Sequence, residues 1–566
     1  MNIMKSTWLW TEVLEKIKRS KVGMTSFYPL ISSSLALGAC GSGDNASSPS
    51  DANSIGYDLT YKSPQPTSSA ALGNDQYDGI FSVSLTSPYW VDALEMNNGL
   101  SLVNALMEEN NNTYFYAFPL IQPEYDLENV VAWAPATEKM KDASYEIFDH
   151  ISEVINLTFL ETKEVTSNNV IVIAQSEQVE TSGFAYFPNP DFYIGSDIFV
   201  SKKYDAPIWK NASLTNADYE VLVHEIGHAL GLKHPFEADQ ENLTLLNAYE
   251  DQTKFTAMSY DDASYTFDGT FRPLDWMTLA KLYGVNPTYR DGDDSYSFSI
   301  TAGVFILDGA GVDTIDLSQS ALGSYVDLRP GTQSWLGQKA AYISSANQLT
   351  ISHGSVVENV IGGRGADRVV GNEVDNVIST GGGNDTIFAG DGADRVTTGS
   401  GADQVDFSED VQAQDTIALE HPGSDGLGDI IYGFAQGFAG DVIDLTMLLA
   451  AFEKLLPLVA TTRVPEGFVD GCVVPLFGKE IREAVDLVVA LSDGGVLETI
   501  DLAEGASAVF LVAANQDSGT EQDFYFGSRS GGSYSAVHLA EFRGDYMDID
   551  NWTADNFIFA PPEVIA

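Results

Sequence analysis

The chain has 566 residues, enough for about three or four domains, and 81 acidic and 28 basic residues give it a formal net charge of -53. Such a charge repels phosphates and excludes nucleic-acid binding. With 44% hydrophobic and 11% aromatic residues, packed cores are expected rather than disorder, and calcium loading or a saline medium explains the acidity better. Two cysteines, Cys40 and Cys472, cannot form a disulfide framework.

The amino-terminal segment is typical of a targeting signal. Basic residues precede the mainly apolar run 22–39, and residues 37–40 resemble a bacterial lipobox whose Cys40 receives lipid. A plain signal peptide or a misassigned start codon are the alternatives. We predict a signal peptide over 1–40 and a flexible tether, part of which could be a propeptide, over 41–90. No later run is apolar enough to span a bilayer, so membrane contact is expected only through a lipid on Cys40.

Between residues 91 and 286, helical and strand patterns alternate, which predicts an α+β domain. Apolar residues at helical spacing predict an amphipathic helix over 143–159. The elements predicted around it are a helical stretch before residue 112 and strands at 114–119, 169–174 and 197–200.

The segment from His224 to His234 has the sequence HEIGHALGLKH. On a helix, His224 and His228 lie on one face, one turn apart, while Glu225 is displaced and can act on a water at the same metal. Gly231 tolerates the turn that brings His234 back as a third imidazole. Three protein ligands leave a fourth position open, which is the pattern of catalytic zinc. Unrelated histidines are the alternative, but three of the seven in the chain fall within this segment.

Downstream, the segment FTAMSY places Met258 and Tyr260 shortly after the zinc motif. This resembles the Met-turn of metzincins, and together with His234-Pro235 it is similar to the serralysin branch. The resemblance implies a metzincin catalytic domain in which Met258 is an apolar floor beneath the metal. It also implies that Tyr260 is a switchable ligand or a donor in the transition state, and that residues 183–200 supply an edge strand along which a peptide substrate lies.

A nine-residue repeat occupies residues 362–406, with Asp or Asn at the sixth position and an aliphatic residue at the eighth. This RTX pattern combines Gly-rich turns, free carbonyls and carboxylates, and such hard oxygen ligands select Ca²⁺. If two repeats form one coil, Asp residues 18 apart stack on one side; a Gly/Asp linker is the alternative. Val374 and Asn376 depart from the pattern and predict a weak or missing ion. The candidate ligands are Gly363, Gly365, Asp367, Gly381, Gly383, Asp385, Gly390, Gly392, Asp394, Gly399, Gly401 and Asp403.

Two segments before the repeats resemble the calcium loops of serralysins, and Glu358 matches a carboxylate ligand of that family; ordinary turns are the alternative. The ligands implied are Arg290, Gly292, Asp294, Asp308, Gly311, Asp313 and Glu358. Residues 287–450 are therefore predicted to form an all-β parallel β-roll. Residues 451–566 are predicted to be a β-rich region that ends in a type I secretion signal.

These features predict a monomeric zinc-dependent endopeptidase, secreted or anchored on the outer surface of a bacterium. One catalytic Zn²⁺ and several structural Ca²⁺ are its expected cofactors, and proteins or peptides its expected substrates. The alternative is a catalytically inactive, calcium-dependent adhesion or scaffold protein. Export is unresolved, because a lipobox at Cys40 implies the Sec route whereas RTX repeats usually accompany the type I route.

Overall fold

The structure is a computed structural model. It describes residues 88–108, 110–125, 130–178, 181–202, 217–238, 242–261, 269–409, 411–420, 428–436, 440–446, 467–468, 473–476, 483–492, 500–502, 507–513, 521–544 and 556–558. The predicted signal peptide, lipidation site and nearly all of the tether lie outside these residues, as do Cys472 and most of the predicted secretion signal. No helix in the described ranges is both long and apolar enough to cross a membrane.

The first part of the described chain is an α/β unit. Its helices are α1 (Tyr89–Asp92), α2 (Gly99–Met107), α3 (Glu138–Val154), α4 (Ala217–Ala229) and α5 (Pro273–Tyr283). Its strands are β1 (Thr113–Ala117), β2 (Ala134–Pro135), β3 (Thr158–Glu161), β4 (Val170–Ser176), β5 (Gly183–Ala185) and β6 (Ile198–Ser201). Tyr89 and Trp90 belong to α1, and Trp90 is buried, so the tether predicted up to residue 90 ends before them.

The α/β unit is organised around one sheet with the strand order β3-β1-β4-β6-β5, in which β5 runs antiparallel at the edge. Strand β4 is buried along its whole length. Ile171 and Ile173 face the core that contains α3, α4 and α5, whereas Val170 and Val172 face a second cluster on the opposite side. Burial on both faces explains why β4 is a continuous apolar run rather than an alternating one.

Helix α3 differs from the predicted range 143–159. It begins five residues earlier, because the Thr137 side chain accepts a hydrogen bond from the Met140 N–H and caps the first turn. It ends at Val154, and the apolar residues that follow belong to a β-bridge at Ile155 and to strand β3. The apolar periodicity did not distinguish the end of the helix from the strand that follows it.

The second part is a roll built from short strands. They are β7 (Ser295–Tyr296), β8 (Val304–Ile306), β9 (Thr314–Asp316), β10 (Ser324–Asp327), β11 (Gln333–Leu336), β12 (Gln348–Ile351), β13 (Asn359–Ile361), β14 (Arg368–Val370), β15 (Val377–Ser379), β16 (Thr386–Phe388), β17 (Arg395–Thr397), β18 (Gln404–Asp406), β19 (Thr416–Ala418), β20 (Asp429–Tyr432) and β21 (Val442–Asp444). From β13 onward, successive strands alternate between two parallel sheets.

The register of the roll confirms that two nine-residue repeats form one coil. Val369 pairs with Ile387 and Ile387 with Val405 in one sheet, each step being 18 residues. Val360, Ile378 and Val396 pair in the same way in the other sheet. These aliphatic side chains point between the sheets and are fully buried, which forms the core of the roll.

The last described part of the chain continues the two sheets of the roll. It contains β22 (Gly467–Phe468), β23 (Val473–Leu476), α6 (Ala484–Leu491), β24 (Ile500–Asp501), β25 (Ser507–Ala513), β26 (Glu521–Ser530), β27 (Ser533–Arg543) and β28 (Phe557–Ile558). Strand β27 pairs in parallel with β20, and β28 pairs with β21. One end of each sheet is therefore extended by strands from this region, and β23 and β28 become its edge strands.

A loop of the roll packs into the α/β unit. Ile343, between β11 and β12, is fully buried in the core that contains α3, α4 and α5. The neighbouring Ser344 donates its N–H and Oγ–H to the Glu250 carboxylate at 3.2 and 2.7 Å. Glu250 also accepts from the Tyr89 hydroxyl at 2.6 Å and from the Asn247 amide at 3.0 Å. This buried carboxylate with four donors joins the two parts of the molecule.

Truncating the inserted side chain should destabilise both parts. Ile343→Ala removes a fully buried aliphatic group, so we expect the free energy of unfolding to fall by about 2–5 kcal/mol in excess calcium. Ile300→Ala is the control, because Ile300 is 82% exposed in the same part of the chain and its loss should change stability by no more than about 0.5 kcal/mol. Equal effects of the two substitutions in urea denaturation would contradict the packing described.

Candidate metal centre

Three histidines converge at the end of helix α4. His224 and His228 lie on one face of the helix, and Gly231, with φ of 101°, turns the chain so that His234 returns towards them. The Nε2 atom of His234 lies 3.1 Å from the Nε2 atoms of both other histidines. All three side chains are buried, and their ligand nitrogens lie within 4.8 Å of one another, close enough to share one metal ion.

Hydrogen bonds at Nδ1 fix the orientation of each imidazole. The Nδ1 atom of His224 donates to the Ala257 carbonyl at 2.7 Å, and that of His228 donates to the Leu232 carbonyl at 2.7 Å. The Nδ1 atom of His234 lies 3.0 Å from the Glu237 carboxylate. Because these oxygens can only accept, the proton of each ring is on Nδ1 and a lone pair is on Nε2.

The geometry at Nε2 fits a tetrahedral metal ion. Zinc with imidazole ligands at about 2.0–2.1 Å places the nitrogens about 3.3–3.4 Å apart, close to the separations observed here. Burial lowers the pKa of His224 to about 3 and holds the pKa of His228 well below its usual value, so both rings are neutral near pH 7. Three buried imidazole nitrogens that converge at this spacing are suited to hold a metal cation between them.

Glu225 lies beside this cluster. Its side chain is buried, its Oε2 atom has no hydrogen-bond partner, and burial raises its pKa well above the usual value. Gly183 of edge strand β5 lies against it, since a Cβ on Gly183 would be 2.6 Å from the Glu225 Oε1 atom. An unpaired carboxylate next to three convergent imidazoles is suited to hold or accept a proton at the metal position.

The turn that contains Met258 closes the site from below. Met258 is fully buried, and its sulfur is so close to α4 that a Cβ on Gly227 would be 2.7 Å from it. Asp275 at the start of α5 fixes the turn by accepting from the Ala257 N–H at 2.7 Å and from the Thr256 hydroxyl at 2.6 Å. The Ala257 N–H therefore fixes the turn while its carbonyl orients His224.

Tyr260 reaches the metal position from the same turn. Its hydroxyl is 3.0 Å from the Nε2 atom of His234 and can donate to that nitrogen. Burial, and then the charges of Glu225 and Glu237, raise the pKa of Tyr260, so the hydroxyl remains protonated. It is thus a neutral donor beside the nitrogen at which His234 would bind the metal.

In the roll, carboxylates form two continuous ladders, one along each side. On the first, the N–H of Asp367 donates to Asp385 at 2.7 Å, that of Asp385 to Asp403 at 2.8 Å, and that of Asp403 to Asp429 at 3.1 Å. Each carboxylate uses its Oδ1 atom for this bond. The Oδ2 atoms of Asp385 and Asp403 are buried without a partner. The predicted stacking of Asp residues 18 apart is confirmed.

The second ladder extends beyond the repeats. The N–H of Asn376 donates to Asp394 at 2.8 Å, that of Asp394 to Asp415 at 2.9 Å, and that of Asp415 to Asp441 at 3.0 Å. The Oδ2 atoms of Asp394 and Asp415 are buried and unpartnered. Burial raises the pKa of Asp394 to about 7 and that of Asp415 to about 8, so cations or protons must neutralise these ladders.

In the turns between the strands, the backbones of successive coils lie close together. Gly401 has φ of 153°, and a Cβ on it would lie 1.6 Å from the Gly383 carbonyl oxygen, so only glycine fits. At the irregular repeat, the Asn376 amide and Asn372 exchange two hydrogen bonds of 2.9 Å. A neutral amide pair thus occupies the place of a carboxylate, which is compatible with the prediction of a weak or missing ion.

The acidic loops before the repeats are brought together. The N–H of Asp294 donates to Asp313 at 2.8 Å, and the N–H of Asp313 donates to Glu358 at 2.7 Å. The Oδ2 atom of Asp313 is buried without a partner. The Arg290 guanidinium lies 3.2 Å from Asp294, and the Tyr296 hydroxyl donates to Asp308. Gly292 and Gly311 also meet here, because a Cβ on Gly311 would be 2.4 Å from the Gly292 carbonyl oxygen.

Comparison with known proteins identifies both regions. A family model described as Matrixin matches residues 124–266, and one described as RTX calcium-binding nonapeptide repeat matches residues 370–405. Serralysin G of Dickeya chrysanthemi is 32% identical over 257 residues, which cover 40% of this chain and 52% of that protein. Serralysin of Proteus mirabilis is 30% identical over 281 residues, covering 43% and 55%. The chain therefore resembles serralysins, with a matrixin-like region followed by RTX repeats.

The similarity to serralysins is partial in length. The chain spans about half the length of these relatives. Metallopeptidase AprA of Pseudomonas marginalis is also similar, at 31% identity over 40% of this chain and 53% of that protein. The AlgE6R3 subunit of the Azotobacter vinelandii mannuronan C5-epimerase matches with 21% identity and a TM-score of 0.20, over 36% of this chain and 84% of that one. At this TM-score the last match supports no structural argument.

Several residues of the serralysin-like site were not predicted from the sequence. Glu237 and Asp275 orient His234 and the Met258 turn, and the ladders continue to Asp415, Asp429 and Asp441. Glu237 follows the third histidine by three residues, a spacing that could have suggested contact. The three later Asp residues each precede a short aliphatic pair or strand, which was the available signal once the nine-residue spacing ended.

A methyl group on β5 should displace Glu225 without disturbing the histidines. In Gly183→Ala the new Cβ would overlap the carboxylate, so we expect zinc affinity to be unchanged while kcat on an unfolded protein substrate falls about 10–100-fold. Ser182→Ala, one residue earlier in the chain, is the matched control and should keep full activity. A Gly183→Ala variant with normal kcat would show that the position of Glu225 is not critical.

Proposed function

We propose that this protein is a zinc endopeptidase that hydrolyses peptide bonds in proteins outside a bacterial cell. The observation that carries the proposal is the convergence of three unprotonated Nε2 atoms next to the unpaired carboxylate of Glu225. A structural zinc site would have a fourth protein ligand, whereas among the described residues no fourth His, Cys, Asp or Glu joins this group. The similarity to serralysins supports the same conclusion.

Each residue of the site has a distinct chemical role in this proposal. His224, His228 and His234 hold Zn²⁺, which when bound lowers the pKa of a water and polarises a carbonyl. Glu225 takes the proton from the attacking water and returns it to the leaving amine, and its raised pKa suits both steps. The Tyr260 hydroxyl donates to the tetrahedral oxyanion, and Met258 is the apolar floor.

The substrate is proposed to bind as an additional strand. Strand β5 is the edge of the sheet, and its Gly183 is in contact with Glu225, so a peptide paired with β5 would pass directly over the histidines. Strand addition recognises backbone groups rather than particular side chains. Broad cleavage specificity on unfolded or extended segments is therefore expected.

Calcium is proposed to fill the two carboxylate ladders and the acidic loops before them. Buried Oδ2 atoms without partners at Asp313, Asp385, Asp394, Asp403 and Asp415 support this assignment. The roll would fold fully only where calcium is plentiful, outside the cell. A lipid on Cys40 stays a prediction, as does the choice between Sec and type I export, and the end of the propeptide is proposed to precede α1.

Removing the Glu225 carboxylate tests catalysis apart from metal binding. Glu225→Gln should bind one zinc ion per chain but cleave casein about 10²–10⁴-fold more slowly, because no base remains to take the proton of the water. Glu146→Gln, at an exposed position of helix α3, is the control and should retain normal activity. Full zinc occupancy without cleavage of any unfolded protein by the unmodified chain would favour the inactive scaffold instead.

Calcium binding is tested by substituting Asp415, which belongs to the second ladder but lies after the nine-residue repeats. Saturating a site to 100 times its Kd adds about 2.7 kcal/mol of stability, so calcium should raise the Tm of the unmodified chain. Asp415→Asn removes a buried charge from the second ladder and should reduce the calcium-induced rise in Tm. Asp375→Asn, at an exposed turn, should not change it. Identical rises in all three proteins would refute the assignment of Asp415.

A further inference from the structure

Lys233, immediately before the third histidine, is buried with 5% of its surface exposed. Its ammonium group donates to three main-chain carbonyls: Ala93 at 2.8 Å, Glu237 at 3.0 Å and Thr244 at 3.1 Å. These carbonyls belong to three separate segments: the residue that follows α1, the turn after His234, and the segment that contains Thr244. Burial of an ammonium is costly, and three charge-assisted hydrogen bonds offset that cost only while all three segments are in place.

The first of these segments also binds the backbone around Lys233. The Lys233 N–H donates to the Leu94 carbonyl at 2.7 Å, and the Met96 N–H donates to the Gly231 carbonyl at 2.9 Å. Glu95 and Leu232 form an antiparallel β-bridge between them. Residues 93–96 therefore lie along the turn that leads from α4 to His234, as a short strand would.

Two further contacts connect Lys233 to the metal position. The Lys233 ammonium binds the main-chain carbonyl of Glu237, and the Glu237 carboxylate is 3.0 Å from the Nδ1 atom of His234. His234 does not lie on α4, so the helix cannot fix its position as it does for His224 and His228. The position of His234 therefore depends on the turn 231–237. Lys233 restrains this turn twice, because its main-chain N–H binds Leu94 and its ammonium group binds the carbonyl of Glu237.

We propose that Lys233 is a positioning residue that docks the segment 93–96 against the turn 231–237 and thereby sets His234 in place for the metal. The proposal rests on the zinc site of the proposed function and adds the requirement that residues 93–96 be docked against the turn. Any proteolytic maturation of the chain must leave residues 93–96 intact, since the Ala93 carbonyl binds the Lys233 ammonium and the Leu94 carbonyl binds the Lys233 main-chain N–H.

The test is the zinc affinity of the full chain in excess calcium, measured by competition with a chromogenic chelator. Lys233→Met keeps the length of the side chain but removes its donors, and the Kd for zinc should rise about 10–100-fold, as for the loss of other groups that orient metal ligands. Val172→Ala is the control for general destabilisation, because Val172 is fully buried on the opposite face of the sheet. Its Kd for zinc should be unchanged although its Tm falls.

An unchanged Kd in Lys233→Met would overturn the proposal, as would an equal rise in Val172→Ala. If Lys233→Met does not fold, Lys233→Gln replaces it: its shorter, neutral side chain cannot bind all three carbonyls, so the Kd for zinc should still rise, and an unchanged Kd would overturn the proposal. A failure of the unmodified chain to bind zinc would instead refute the proposed function. Because affinity is measured on the resting protein, the result does not depend on catalytic turnover.

Discussion

Both halves of this molecule contain buried ligand atoms that converge on one another or lack a hydrogen-bond partner among the described residues. At the end of α4, the Nε2 atom of His234 lies 3.1 Å from those of His224 and His228; along the roll, the carboxylate Oδ2 atoms of Asp385, Asp394 and Asp403 are buried and unpartnered. Such groups are costly unless a cation neutralises them. The remaining features, from the Nδ1 hydrogen bonds to the glycine turns, hold these atoms in positions that only metal ions make favourable.

The two halves prepare their ligands by different means. The zinc position uses single side chains from distant segments, each oriented by a further hydrogen bond: Ala257 orients His224 and Glu237 orients His234. The roll uses repetition, since one N–H to Oδ1 bond recurs from coil to coil and the glycine backbones stack between them. A single altered residue should therefore damage the first site severely, whereas the second loses one ion at a time.

The sequence predicted what is local or periodic. The histidine spacing, the Gly231 turn and the coil of 18 residues follow from short-range geometry, and the structure agrees with them. Contacts across long separations could not be predicted: Ala257 orients a histidine 33 residues away, and Ser344 binds Glu250 across 94 residues. The continuation of the ladders to Asp415 and Asp429 was also not predicted. Their step changes there from 18 to 21 and 26 residues, so the sequence no longer shows the period, although the strands remain paired in register.

The contact between Glu250 and Ser344 links the acidic roll to the zinc position. Glu250 lies in the sequence between His234 and Met258, and its carboxylate is bound by Ser344 of the roll. Cations that order the roll therefore also hold the segment that leads into the Met258 turn. The free energy of calcium binding then contributes to the stability of both parts, because a ligand that binds only the folded state stabilises everything that unfolds with it. Calcium ions bound along the roll would thus offset part of the repulsion that a net charge of -53 creates.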